Sequence, residues 1–64
     1  MSKTKTLAER EGELQALMAS HEGKARLEEI ADSYHHGGGR PRPPRTSVIT
    51  YILVHERQEG LIVG

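Results

Sequence analysis

The segment Gly37-Gly38-Gly39-Arg40-Pro41-Arg42-Pro43-Pro44-Arg45 constrains the fold more than any other part of this 64-residue chain. Three consecutive glycines leave the backbone without side-chain restraint, and Pro41, Pro43 and Pro44 lack the amide hydrogen that a helix interior or a central strand needs. Regular structure must stop before Gly37 and cannot resume before Arg45. The segment also divides the charge. Residues 1–34 carry five basic and seven acidic side chains, and residues 35–64 carry four and two, although the whole chain is formally neutral. Attraction to a polyanion must therefore be local, through Arg40, Arg42 and Arg45, and not a property of the whole molecule.

A chain of this length makes one domain, expected over 1–64, with a tail at 1–5 and a loop at 37–45. Such a domain buries only roughly 60% of the surface its unfolded chain exposes, so its core is thin. There is no cysteine, which excludes disulfides and thiolate-metal sites as reinforcement. Oligomerisation or tight helix packing is left. Tyr34 and Tyr51 are the only aromatic residues, and the core must come from Leu, Ile, Val, Ala and Met. No stretch approaches the ~20 apolar residues of a membrane span, and the N-terminus lacks the apolar run of a signal peptide, so a cytoplasmic location is expected.

Thr6-Leu7-Ala8-Glu9 reads as a capping box that starts a first helix. Leu7, Leu14, Leu17, Met18 and the stem of Glu11 line its inner side, with Glu9, Arg10, Glu13 and Gln15 facing water. Gly12 weakens its first turns by about 1 kcal/mol relative to alanine. Ser20 ends this helix or caps a second one, in which Leu27, Ile30, Ala31 and Tyr34 follow the spacing of one apolar face.

The run from Ser47 to His55 admits two readings. Val48, Ile49, Thr50, Ile52 and Val54 are β-branched, and Gly60 could turn a hairpin into Leu61-Ile62-Val63. As a strand, however, the run would be apolar on both faces, more than so small a domain can bury. As a helix it has an N-cap in Ser47, good helix formers at 56–59, and in Gly60-Leu61 a glycine C-cap with its hydrophobic contact. The favoured fold is an all-α, three-helix domain with a long Gly/Pro/Arg loop before the third helix. Two helices plus a C-terminal β-hairpin is the alternative.

Catalytic constellations are not apparent. His55-Glu56-Arg57-Gln58-Glu59 has the opening of a zinc-protease helix but places Glu59 where the second histidine is required. His21, His35 and His36 have no third partner at ligand spacing, and Gly37-Gly38-Gly39-Arg40 lacks the lysine of a phosphate loop. No enzyme activity, cofactor or metal is expected.

Gly39-Arg40-Pro41-Arg42 resembles the core of an AT-hook, an extended arm that lies in the narrow minor groove of A·T-rich DNA. Proline extends such an arm, glycine lets its backbone approach the groove floor, and arginine answers the negative potential there. Pro41-Arg42-Pro43-Pro44 also meets a minimal PxxP pattern for an SH3-type partner. Across residues 27–62, Leu27-Glu28-Glu29-Ile30-Ala31, Thr46-Ser47-Val48-Ile49-Thr50-Tyr51-Ile52-Leu53 and Gly60-Leu61-Ile62 resemble a helix-turn-helix unit. That resemblance implies Ile49, Ile52 and Leu53 inside, with Ser47, Thr50, Tyr51 and His55 directed toward DNA. Glu56 stands where that family has an apolar residue, and the turn is longer than three or four residues.

The expected function is DNA binding through Arg40, Arg42, Arg45, Ser47, Thr50 and Tyr51. The alternative is a structural or interaction module in which the apolar 48–54 segment forms an oligomer or docks on a larger protein partner, a homodimer being open to the DNA-binding reading as well.

Overall fold

The computed structural model describes residues 4–64, and the part of the expected tail at 1–3 lies outside the described residues. Its elements run β1 (Lys5–Thr6), α1 (Leu7–Met18), α2 (His21–His36), α3 (Val48–Gln58) and β2 (Ile62–Val63). The protein is thus a three-helix domain with a long loop before α3, and two-residue strands complete it.

Each helix begins where a side chain satisfies its orphan amides. The Thr6 hydroxyl accepts from the Glu9 amide at 3.2 Å, and the Glu9 carboxylate accepts from the Thr6 amide at 3.2 Å. Ser20 caps α2 by accepting from the Gly23 amide at 2.9 Å, and Ser47 caps α3 by accepting from the Thr50 amide at 3.1 Å. Gly60, at φ +75°, ends α3 in a Schellman turn, with Leu61 N–H donating to the Glu56 carbonyl at 2.8 Å and Gly60 N–H to Arg57 at 3.2 Å. The hydrophobic residue that follows this turn into the core is Ile62, however, and not Leu61, which stays exposed.

The 48–58 segment is a helix and not a hairpin strand because helical spacing sorts its apolar residues onto one face. Val48, Ile49, Ile52 and Leu53 are buried against α1 and α2, whereas a strand would have left half of them in water. One residue from each helix, Leu14, Leu27 and Ile52, is fully buried at the centre. Leu7, Leu17, Met18, Ile30, Tyr34 and Tyr51 close around them, while Glu11 is exposed and contributes nothing to the inner side. This packing uses inside the chain most of the apolar surface that docking through 48–54 requires. Val54 alone in that segment remains an exposed large hydrophobic residue.

Lys5, expected in the tail, pairs in parallel with Ile62, and Thr6 with Val63. Parallel strands need a long crossover, and here the whole three-helix unit is that connection. A ladder this short adds little on its own. Its effect is to hold the entry to α1 beside the exit from α3 and to seat Ile62 in the core.

The α1–α2 corner depends on a close approach at Gly23. A Cβ at this position would lie 1.9 Å from the Leu17 carbonyl oxygen, inside van der Waals contact with backbone that cannot swing away. Gly12 lies on the open side of α1, with nothing within 4 Å of an added Cβ. The two glycines therefore respond oppositely to alanine. Gly12→Ala raises stability by about 0.5–1 kcal/mol through helix propensity. Gly23→Ala lowers it by about 3 kcal/mol or more through overpacking. Urea titration followed by circular dichroism reads both signs.

Candidate functional site

Three polar side chains, one from each helix, meet at the edge of the core. Glu56 of α3 is 3% exposed, an unusual degree of burial for a carboxylate. Arg10 of α1 binds it bidentately, Nε to Oε1 at 2.8 Å and Nη2 to Oε2 at 2.9 Å. The Tyr34 hydroxyl of α2 donates to Oε2 as well. Arg10 therefore does not face water as its charge suggests. Its third nitrogen, Nη1, donates to the Glu13 carboxylate at 3.0 Å, and Glu13 also pairs with Lys5. A shallow depression of about 230 Å³ bounded by Lys5, Arg10, Glu56, Leu61 and Ile62 opens over the pair, so the guanidinium keeps some access to water.

The chemistry of this cluster follows from its geometry. Hydrogen bonding to Glu56 raises Arg10 above its ordinary pKa against the opposing effect of burial. Lys5 and then Arg10 hold Glu13 below the usual carboxylate range. Burial, reinforced by the hydrogen bond to Glu56, pushes the Tyr34 phenol up to about 12. No side-chain polar atom buried among the described residues lacks a partner. The cluster ties the three helices to one another at the edge of the core.

Tyr34 connects this cluster to the outer surface. One side of its ring stacks on His55 of α3, centroids 4.2 Å apart and planes 19° from parallel. Gly39 packs beside His55, where a Cβ would lie 3.3 Å from Cε1 and 2.7 Å from the Tyr34 carbonyl oxygen. The 37–45 loop is thereby seated against α3. Between them lies an open cleft of about 600 Å³, bordered by Gly39, Arg40, Pro41, Tyr51, Val54 and His55 among others. His55 and Glu59 stand 3.9 Å apart, and the described residues contain no group of three His, Asp or Glu side chains able to hold a metal.

The residues singled out from sequence take different positions around this loop. Arg40 and Arg45 are exposed and make no side-chain hydrogen bond or ion pair among the described residues. Arg42 turns back, donating to the Thr46 carbonyl at 2.9 Å and approaching Glu28 at 3.4 Å. Ser47 accepts from the Thr50 amide and donates to the Thr50 hydroxyl at 2.9 Å, so its oxygen is committed to the cap. Thr50 is exposed, and its hydroxyl donates to no group among the described residues. Tyr51 is half-buried, and its hydroxyl donates to the Arg40 carbonyl in an exposed hydrogen bond that commits it to the loop. His55 lies flat on Tyr34.

Sequence reasoning missed the Arg10–Glu56–Tyr34 cluster, although a signal existed. Arg10 falls on the Leu7, Leu14, Leu17 stripe, and Glu56 continues the Ile49, Ile52, Leu53 stripe. Two opposite charges on apolar stripes of different helices imply a buried pair. Compared with known proteins, the chain matches no family model, no curated protein and no solved structure.

The raised Tyr34 pKa carries a pH dependence. Between pH 10 and about 12 the unfolded chain has released the Tyr34 proton while the folded chain retains it, so stability falls as pH rises through this window. The wild type loses more of its urea midpoint between pH 9 and 11.5 than Tyr34→Phe does. Equal losses in the two proteins refute the coupling.

Proposed function

We propose that the protein is a small DNA-binding protein whose contact surface is the 37–45 loop together with Thr50, which is exposed in the first turn of α3. The observation that carries this reading is the exposure of Arg40, Arg42 and Arg45 on a loop seated beside α3, with only Arg42 facing an acid, at 3.4 Å. Three cations within six residues form a local positive site on a neutral chain. Guanidinium groups suit phosphate oxygens, and such contacts supply most of the affinity of a weak binder. Thr50 adds a hydroxyl donor within reach of the same backbone, as phosphate contacts from polar side chains commonly do. Ile49, Ile52 and Leu53 are buried on the opposite side of α3, which leaves its polar face available. In this reading the chain carries no catalytic group, and Glu56 serves the fold.

Binding of this kind weakens with added salt, because each neutralised phosphate releases condensed counterions. Three arginines predict a slope of about −2 to −3 in log affinity against log salt on duplex DNA. Fluorescence anisotropy with a labelled duplex measures it, and replacing Arg40, Arg42 and Arg45 with alanine removes most of the binding. Absence of binding at micromolar protein in low salt overturns the reading.

A further inference from the structure

The Gly39–Arg42 segment is not a free arm. The Gly39 amide donates to the Tyr34 carbonyl at 3.0 Å, and the Arg40 carbonyl accepts from the Tyr51 hydroxyl. Arg42 holds the Thr46 carbonyl at 2.9 Å across a turn that the Thr46 amide closes onto Pro43 at 3.0 Å. Gly39 itself sits so close to His55 and Tyr34 that no side chain fits there. These contacts tie the segment to α2 at Gly39 and to α3 at Arg40 and fold Arg42 back onto the loop, while the Arg40 side chain stays exposed.

A segment held this way cannot enter a minor groove. That groove is about 6 Å wide and admits a bare extended chain. A chain backed by a helix roughly 10 Å across does not fit. The guanidinium groups can still reach phosphates from outside, but contacts of that kind position a protein without reading bases. The contact that most directly decides between the two modes is Tyr51, since its hydroxyl ties the carbonyl of the very residue that would lead into the groove. Arg40 has no other side-chain or backbone tie among the described residues.

We infer that Tyr51 is a specificity-determining residue: by clamping the Arg40 carbonyl it holds the Gly39–Arg42 segment against α3, so that the protein grips duplex phosphates without preference for base composition. This inference rests on the DNA-binding reading above and adds how that surface reads, or fails to read, sequence. Removing one hydroxyl leaves the Gly39 amide on the Tyr34 carbonyl and Arg42 on the Thr46 carbonyl but releases the Arg40–Pro41 stretch between them, whose arginine and proline are suited to a narrow groove, and A·T preference emerges.

The experiment compares wild type with Tyr51→Phe, which keeps the ring that packs against the core and deletes only the clamp. Backbone ¹⁵N relaxation of Gly38, Gly39 and Arg40 reports the clamp without any DNA. The three amides are as ordered as those of α3 in the wild type; in the variant that of Arg40 becomes mobile while those of Gly38 and Gly39, still bonded to the α2 carbonyls of His35 and Tyr34, stay ordered, and circular dichroism is unchanged. Anisotropy titrations against A·T-rich and G·C-rich duplexes of equal length report the consequence. Wild-type affinities agree within about twofold, as phosphate contacts demand. Tyr51→Phe prefers the A·T-rich duplex by about fivefold or more, and a further Arg40→Ala abolishes that preference. Mobile amides in the wild type, or an A·T preference that Tyr51→Phe leaves unaltered, overturn the clamp while DNA binding stands. Failure of both proteins to bind either duplex overturns the DNA-binding reading, and with it the specificity role.

Discussion

The bidentate pair between Arg10 and Glu56 is the interaction on which the arrangement of the three helices depends, and Tyr34 completes it from the third. A carboxylate this deeply buried is tolerated only when its charge and its lone pairs are met, and here one guanidinium and one phenol meet them. Apolar contacts among Leu14, Leu27 and Ile52 drive the helices together without direction, since one leucine packs nearly as well against a neighbour a turn away. The pair is directional. A slip of α3 by one turn would bring Glu56 away from Arg10 and leave a buried anion unpaired, at a cost on the order of 3–5 kcal/mol. In a domain with so thin a core this separates one packing from its neighbours.

The same residues carry that order outward to the loop. Tyr34 bonds Glu56 and stacks on His55, and His55 with the Tyr34 carbonyl forms the surface on which Gly39 rests. A segment of three glycines and three prolines would otherwise have no reason to adopt one path. Its position beside α3 follows from the polar cluster, from the small size of Gly39, and from the Tyr51 hydroxyl. The arginines inherit their placement from this chain of contacts. Stability and the path of the loop are therefore linked at Tyr34, which touches both the cluster and the residues that border the cleft.

Much of the architecture was legible in the residues. The capping signals at Thr6, Ser20 and Ser47, the glycine stop after His36 and the Gly60 terminus are local, and each helix boundary follows from chemistry within four or five residues. The inward faces of α2 and α3 were legible from their spacing. The burial of Arg10 is not legible residue by residue: an arginine on an apolar stripe is solvated unless a partner waits on another helix, and only the stripes of two helices taken together point to Glu56. Lys5 pairing with Ile62 was invisible for a related reason, as two residues of strand have no periodicity to detect. Leu61 and Ile62 exchanged roles because the direction in which the chain leaves a Schellman turn depends on what it meets next.

Short-range physics therefore decided where the helices begin and end, which of their faces are apolar, and that a charged, proline-bound loop must interrupt them. Those are properties of hydrogen bonds and steric limits within a few residues, which a linear chain displays directly. Tertiary structure alone decided that Glu56 is an internal anchor instead of a surface charge, that Gly23 must be glycine, and that the Gly39–Arg42 segment lies along α3 instead of extending freely. Each of those rests on a contact between elements distant in the chain. Desolvation gives such contacts their strength, and desolvation exists only once the helices have packed.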